Sequence, residues 1–502
     1  MEEGSAGEAA EENGIGSSSV VETETQEIKT LQHNVRAKEK LSSMDDDEGS
    51  GGGTTRPPEE MKGSCGSWIV EMEKLLEDTR PSVEMARWKQ HSIYRVPEFM
   101  KKMTNRDAYQ PQFVSLGPLH HGEPHLMPME EHKRRAVLHR VKRARKPLTK
   151  FVEAIEEVAD ELEAAYDGLD DRWRGASRGS FVEMMVTDGC FLLELMSIKL
   201  SRLTKDDGGG EVDTGYAAND PVFSGSSFHN LWPIMRNDMI AMENQIPLIV
   251  LQRIVFPRGS GTPPSAKWIN NMVRQLLCGS SFKEGMDNLG LHFLDILHKG
   301  YCGTRPCWER SNSKNYEVRT PCAVELSEAG IQFKKSNTKT ESIHDVDFVN
   351  GKLRMPLLRL DDQTEAEHLN LMAFEWLHPN TTNDVRCYIS FVDNIIESER
   401  DVALLRSQGL IENGMCSDKK VVELFNITTK LGEANICNRL GHVQWKMNAH
   451  CKKRRNKWRA MFMNNYLSNP WVFISLVAAF ILLIATIMQT IYTVVPFYTN
   501  KG

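Results

Sequence analysis

Acidic residues run out early in this chain. None occurs after Glu433, and from Trp471 to Val495 there is no Asp, Glu, Lys, Arg or His at all. That uncharged run of 25 residues exceeds the usual length of a buried core helix. Fourteen of its residues are Leu, Ile, Val or Phe, each favouring insertion by about 0.3–0.6 kcal/mol at mid-helix depth. At about 1.5 Å per residue the run spans roughly 37 Å, enough for a hydrocarbon core of about 30 Å with some tilt. Trp458, Phe462, Tyr466 and Trp471 lead into it and Tyr492, Phe497 and Tyr498 close it, as aromatic belts do at membrane surfaces. The expectation is one transmembrane helix at 471–495 with a short tail at 496–502.

Cysteine is also scarce. Ten in 502 residues are too few for a disulfide scaffold. The tightest group is Cys302, Cys307 and Cys322, with His292, His298 and His344 around it. A zinc site built from paired thiolates needs a second Cys pair, and none follows, so these read as loop and core cysteines. The chain also has no Gly-x4-Gly-Lys-Ser/Thr phosphate loop, no His-Glu-x-x-His and no Gly-x-Ser-x-Gly. No catalytic residue, cofactor or metal is expected on these grounds. The opening MEEGSAGEAAEENG is acidic where a secretory signal needs a basic and then an apolar region, so reduced thiols are the expectation.

Charge is unevenly spread. Residues 1–60 hold 15 acidic and 5 basic side chains, a balance of −10 within a total of −7, which leaves +3 for the rest. Residues 1–62, rich in Glu, Ser and Gly, lack the apolar content to offset ordering entropy and are expected to be a disordered tail. Lys446, Lys452, Lys453, Arg454, Arg455, Lys457 and Arg459 make a basic juxtamembrane segment within 446–470. Positive charge on that side of an anchor places the body, 63–445, in the cytosol.

Within the body, apolar spacing predicts helices over most of the chain. Trp68, Ile69, Met72, Leu75 and Leu76 form an amphipathic stripe that Pro81 ends. Five prolines between Pro97 and Pro128 mark an irregular entry, in which His120, His121 and His125 show no ligand spacing. A helical stripe runs from Met129 to Leu162, broken at Pro147, and its nine Lys and Arg residues between Lys133 and Lys150 read as a solvated face. FVEMMVTDGCFLLELMSIKL (181–200) and NDMIAMENQIPLIVLQRIV (237–255) are apolar nearly all round and read as two buried helices, interrupted by Glu183, Asp188, Glu194, Asp238 and Glu243. Flexible loops are expected at 204–230 and 257–267, with helix again from Trp268 to His298. Around Asn350-Gly351 the period changes to two, a hairpin signal within a small sheet at about 331–356. Helices follow at 364–376, 385–396, 397–406 and 417–430. The fold class is mainly α, with one small sheet and the C-terminal anchor.

SIYRVP (92–97), VSLGPLHHG (114–122), FVEMMVTDGCFLLEL (181–195), ENQIPLIVL (243–251), ELSEAGIQFKKS (325–336) and NGKLRMPLLRLDDQTEAEHLNLMAFEW (350–376), together with the ending NKWRAMFMNNYLSNPWVFIS (456–475), resemble the plant family called domain of unknown function 247. The resemblance implies an α-rich body with one C-terminal anchor, and some members are associated with self-incompatibility in grasses. It supplies no catalytic or ligand-binding residue. Residues 299–320 depart from the family's pattern.

Two functions fit these observations. The first is a membrane-anchored recognition or signalling adaptor without catalysis. Its expected partners are the bilayer, through 471–495 and the basic cluster at 446–459, and a protein; nucleic acid is not expected. The second is an enzyme using the buried acids Asp188, Glu194 and Glu243 with His120 and His121. Such a site demands that these groups converge in a cleft, whereas a structural role demands that each be bonded to its own partners.

Overall fold

The computed structural model describes residues 68–70, 72, 76, 81–203, 215–255, 265–279, 286–303, 320–336, 342–431, 438–453, 456, 458–459 and 470–499. Two units divide the chain, 1–78 and 79–502. In the first, residues 68–70, 72 and 76 are helical with their side chains exposed. The acidic tail expected at 1–62 lies outside the described residues.

In the second unit Pro81 opens a helix, α1 (Pro81–Trp88). Its missing N–H is harmless there, because the first helical position has no intrahelical acceptor. The stretch to 127 carries only α2 (Glu98–Met103) and one 3-10 turn at Arg106–Tyr109. The expected helix at 129–162 forms as α3 (Pro128–Ala144), α4 (Leu148–Glu156) and α5 (Ala159–Ala164), with Pro147 capping α4 at the predicted break. Next comes α6 (Arg178–Leu203), the 26-residue centre of this half. It is buried along most of its length; Glu183 is exposed, so that acid interrupts the pattern only where solvent reaches it.

The segment 237–255 is not one helix. α7 (Gly225–Ile240) stops, residues 241–247 run as an irregular turn, and α8 (Leu248–Val255) begins after Pro247. Apolarity is continuous across the break, which hides it from a periodicity argument. α7 also starts inside the loop expected at 204–230. The helix expected from Trp268 to His298 is two, α9 (Ala266–Cys278) and α10 (Phe293–Cys302), with α9 ended by Gly279 in the left-handed region. Around α6 pack α3, α4, α8 and α9. The approach of α8 is possible because residue 189 is glycine: a Cβ there would lie 2.5 Å from Ile254 Cδ1 and 2.7 Å from Val250 Cγ1.

The remaining elements are α11 (Ala323–Glu328), β1 (Gln332–Lys335), β2 (Asp347–Val349), β3 (Lys352–Met355), β4 (Leu358–Leu360), α12 (Thr364–Leu377), α13 (Asp384–Ile395), α14 (Glu399–Ser407), β5 (Ile411–Asn413), α15 (Asp418–Thr428), α16 (Asn438–Cys451) and α17 (Pro470–Thr499). The hairpin joins β2 and β3 through Asn350 and Gly351, both at positive φ as a two-residue turn requires. β1 pairs with β3 in parallel, and the parallel pair β4–β5 forms a second small sheet that alternation alone did not reveal. One apolar cluster runs from Ile93 to Met447, so both halves of the body share a core. Within α17, Phe473–Thr493 is a 21-residue span of mean hydropathy 2.4 with none of its residues buried, long and apolar enough to cross a membrane. Thr486, Thr490 and Thr493 donate their hydroxyls to carbonyls four residues back, which hides their polarity within the helix.

Candidate functional site

An irregular segment inside a packed protein must find partners for its backbone amides, since an orphaned buried donor is costly. The segment 92–117 finds them on polar side chains at the end of α7, in the 241–247 turn and on α6. Glu243 Oε1 accepts from Val96 N at 2.6 Å. Asp238 accepts from the amides of Gln112, Phe113 and Val114, each at 2.8 Å. Asn244 accepts from Leu116 N and donates to the carbonyls of Val114 and Asp238. Asp188 Oδ2 accepts from Gly117 N at 2.8 Å. At Gly117, φ is +74° and a Cβ would lie 2.6 Å from the Gln245 carbonyl oxygen, so only glycine fits. Further along the chain, Asn370 accepts from Met242 N and donates to the Ala108 carbonyl.

Three charged groups sit within this frame. The Glu243 carboxylate meets Lys101 Nζ at 2.8 Å and His120 Nε2 at 3.3 Å, all of them buried. His120 Nδ1 also lies 2.7 Å from Glu123 Oε1. Burial opposes the charge on His120, but the nearby Glu243 carboxylate and the Glu123 hydrogen bond outweigh it and raise the imidazole above its ordinary value. Burial likewise opposes the charge on Glu243, and the nearby His120 and the bonds from Lys101 and Val96 N prevail, holding its carboxyl below the ordinary range. Asp188 pairs with Lys133 Nζ at 2.7 Å. Lys133 is fully buried and also reaches Glu130 Oε1 at 2.7 Å and Ser115 Oγ at 3.1 Å. Burial raises the Asp188 carboxyl against the pull of Lys133. Glu194 meets Arg143 at 2.9 Å and the Tyr216 hydroxyl at 3.1 Å, and its carboxyl is also raised by burial.

The sequence-expected acids therefore have separate partners: no residue bonds to two of Asp188, Glu194 and Glu243 in these contacts. His120 touches Glu243, whereas His121 turns away to stack edge-on against Trp173 and His125 reaches the Pro111 carbonyl. The basic stretch at 133–150 is the expected solvated face with one exception, Lys133, a buried counter-ion. Arg134, Lys142, Arg143 and Arg145 are exposed, and from that face Arg135 pairs with Asp220 and Arg143 with Glu194. Periodicity could not have found Lys133, because a basic residue on a helix reads as polar whichever way it points.

The loop, the turn and α6 coincide with the segments whose wording resembled a plant family. A family model described as plant protein of unknown function, 247, matches residues 93–485. The chain belongs to this family. It is 26% identical over 439 residues to a UPF0481 protein of Arabidopsis thaliana, covering 82% of this chain and 87% of that one. A second Arabidopsis UPF0481 protein is 27% identical over 173 residues, 34% of this chain and 33% of its own length. No solved structure matches the chain. The family's SIYRVP, VSLGPLHHG and ENQIPLIVL stretches are, in this chain, the two halves of one backbone-to-side-chain latch.

Proposed function

We propose that this family member is a single-pass membrane protein whose helical body stands on the cytosolic side and serves as a non-catalytic docking platform for a protein partner. The observation that carries the reading is α17, whose apolar span of 21 residues is buried against nothing in its own chain. The orientation is supported by the basic residues Lys446, Lys452, Lys453, Arg454, Arg455, Lys457 and Arg459 before the span, against one Lys in residues 496–502. The absence of catalysis is inferred from the way the buried acids are spent on fixed ion pairs and backbone amides. Two glycosylation acceptors report the side directly: Asn380, exposed between α12 and α13, and Asn426, exposed on α15. The full-length protein should stay with native membranes through alkaline carbonate and show no glycosidase-sensitive mass. A shift that disappears in Asn380→Gln/Asn426→Gln would reverse the orientation, and release by carbonate would remove the anchor.

The enzymatic reading is favoured by one observation, the His120–Glu243 contact. It requires that His120→Gln abolish a measured turnover while leaving the melting temperature in place. A loss of stability instead assigns the pair to the latch.

A further inference from the structure

Three separate pieces of chain meet at the end of α10. Cys302 is its last residue, followed by Gly303 at φ +69°. The turn at 342–346 is fastened to it: Ile343 N donates to the Tyr301 carbonyl at 3.0 Å and the Ser342 hydroxyl to the Cys302 carbonyl at 3.0 Å. Asp384 enters from the first turn of α13. As a result Cys302 Sγ, a His344 ring nitrogen and an Asp384 carboxylate oxygen all lie within 4.8 Å of one another. His298 Nε2 stands 3.6 Å from the same sulfur. Glu375 is 2.8 Å from His298 and accepts from the amides of Val385 and Arg386.

His298 pairs closely with Glu375 at 2.8 Å, and a looser ion pair with Asp384 is left to His344. Its Nε2 is buried and makes no hydrogen bond, although it lies 3.5 Å from Asp384 Oδ2. The Asp384 oxygen is already engaged by the Thr382 hydroxyl at 2.6 Å, an arrangement that orients a carboxylate. Two of the separations suit a tetrahedral ion. With bonds of about 2.3 Å to sulfur and 2.0–2.1 Å to nitrogen or oxygen, the ligand-to-ligand edges are about 3.6 Å for S···N and about 3.3 Å for N···O. The observed values of 3.6 Å for Cys302–His298 and 3.5 Å for His344–Asp384 are close to these.

We propose that Cys302, His344 and Asp384 form a binding site for a zinc-class divalent ion, with His298, 3.6 Å from the sulfur, turning in as fourth ligand when the ion binds. One thiolate, two imidazoles and one carboxylate are donors that favour zinc over magnesium or calcium. Thiolate and carboxylate together balance the two positive charges, and binding releases the Cys302 proton to solvent. His298 exchanges its hydrogen bond to Glu375 for the metal, while Glu375 keeps the two amides of α13. Four protein ligands make the site structural: it clamps the 342–346 turn between α10 and α13. The missing second thiolate pair is no obstacle, because nitrogen and oxygen donors distant in sequence complete the set.

The test is cobalt and zinc titration of the full-length, detergent-solubilised protein after chelator treatment in a reducing buffer. The expected result is one cobalt per chain with a thiolate-to-cobalt charge-transfer band and the intense visible bands of four-coordinate cobalt. Zinc should bleach both and raise the melting temperature. Cys302→Ser should remove the charge-transfer band, His344→Ala and Asp384→Asn should each weaken binding at least tenfold, and His298→Ala should shift the visible bands. Because Cys302 is buried, His344→Ala, at a half-buried position, is the decisive variant if Cys302→Ser does not fold. Absence of any thiolate band, or a band and affinity unchanged in His344→Ala, overturns the site.

Discussion

A single fully buried lysine controls the electrostatics of α6. Lys133 makes its ion pair with Asp188 out of contact with water, and such a pair is destabilising chiefly when only half of it is removed. Asp188→Ala should therefore lower unfolding free energy by about 3–5 kcal/mol, read by denaturant titration of the soluble body. Combining Asp188→Leu with Lys133→Met should recover most of that loss, since an apolar pair of similar volume leaves no charge behind. The His120–Glu243 contact gives a pH signature. His120 is raised in the folded state, so its contribution is complete below about pH 6.5 and disappears as pH rises through the raised value. Glu243 is lowered, so its contribution is present above about pH 4.3 and is lost as pH falls through the lowered value. The stability difference between wild type and His120→Gln should accordingly shrink on going from pH 6 to alkaline pH. If the difference is the same across that range, His120 is not the charged partner of Glu243. The sequence marked Asp188 and Glu243 as buried acids needing partners, and it marked them correctly. It could not name Lys133 or Lys101, because the spacing of a charge along a helix does not say what lies opposite it.

Helices with a stripe of apolar residues were legible, and their breaks less so. Pro147 announced itself by fixing φ, as did the Asn350-Gly351 turn by tolerating positive φ. The break at 241–247 did not, because Met242 and Ile246 continue the apolar pattern across it and both are buried. What distinguishes it is the cluster Glu243, Asn244 and Gln245, whose side chains replace the hydrogen bonds that a helix would have supplied. Gln245 Nε2 donates to the carbonyls of Met239 and Ala241, near the end of α7. Asn244→Ala would orphan Leu116 N and two carbonyls, and should cost about 1–3 kcal/mol, measured as a lowered denaturant midpoint at unchanged slope. Gly189→Ala tests the α6–α8 contact. Its Cβ would meet Ile254 and Val250 well inside contact distance, so a loss of about 1–3 kcal/mol is expected, partly restored by Ile254→Val.

At the scale of the molecule, the span in α17 and the helical class of the body were legible because both rest on composition over many residues. The sharing of one core between the two halves was not, since it depends on contacts between segments far apart in the chain. Deleting residues 1–62 should leave the cooperative melting temperature of the remainder within a few degrees, because their composition has little apolar surface to contribute. A larger drop on calorimetry would mean that the acidic tail packs on the body.

The latch also has a consequence in time. The amides of Val96 and Leu116 wait for acceptors 147 and 128 residues further on, and the Ala108 carbonyl for a donor 262 residues away. A ribosome adding about 5–20 residues per second needs roughly 10–50 s to deliver Asn370 after Ala108. Until residues 188–244 are made, the 92–117 segment lacks most of its acceptors, and until Asn370 follows the Ala108 carbonyl lacks its donor, so the segment is a natural client for a chaperone. Nascent chains stalled before Glu243 emerges should be cut by protease between 92 and 126, and chains stalled well beyond Asn370 should resist.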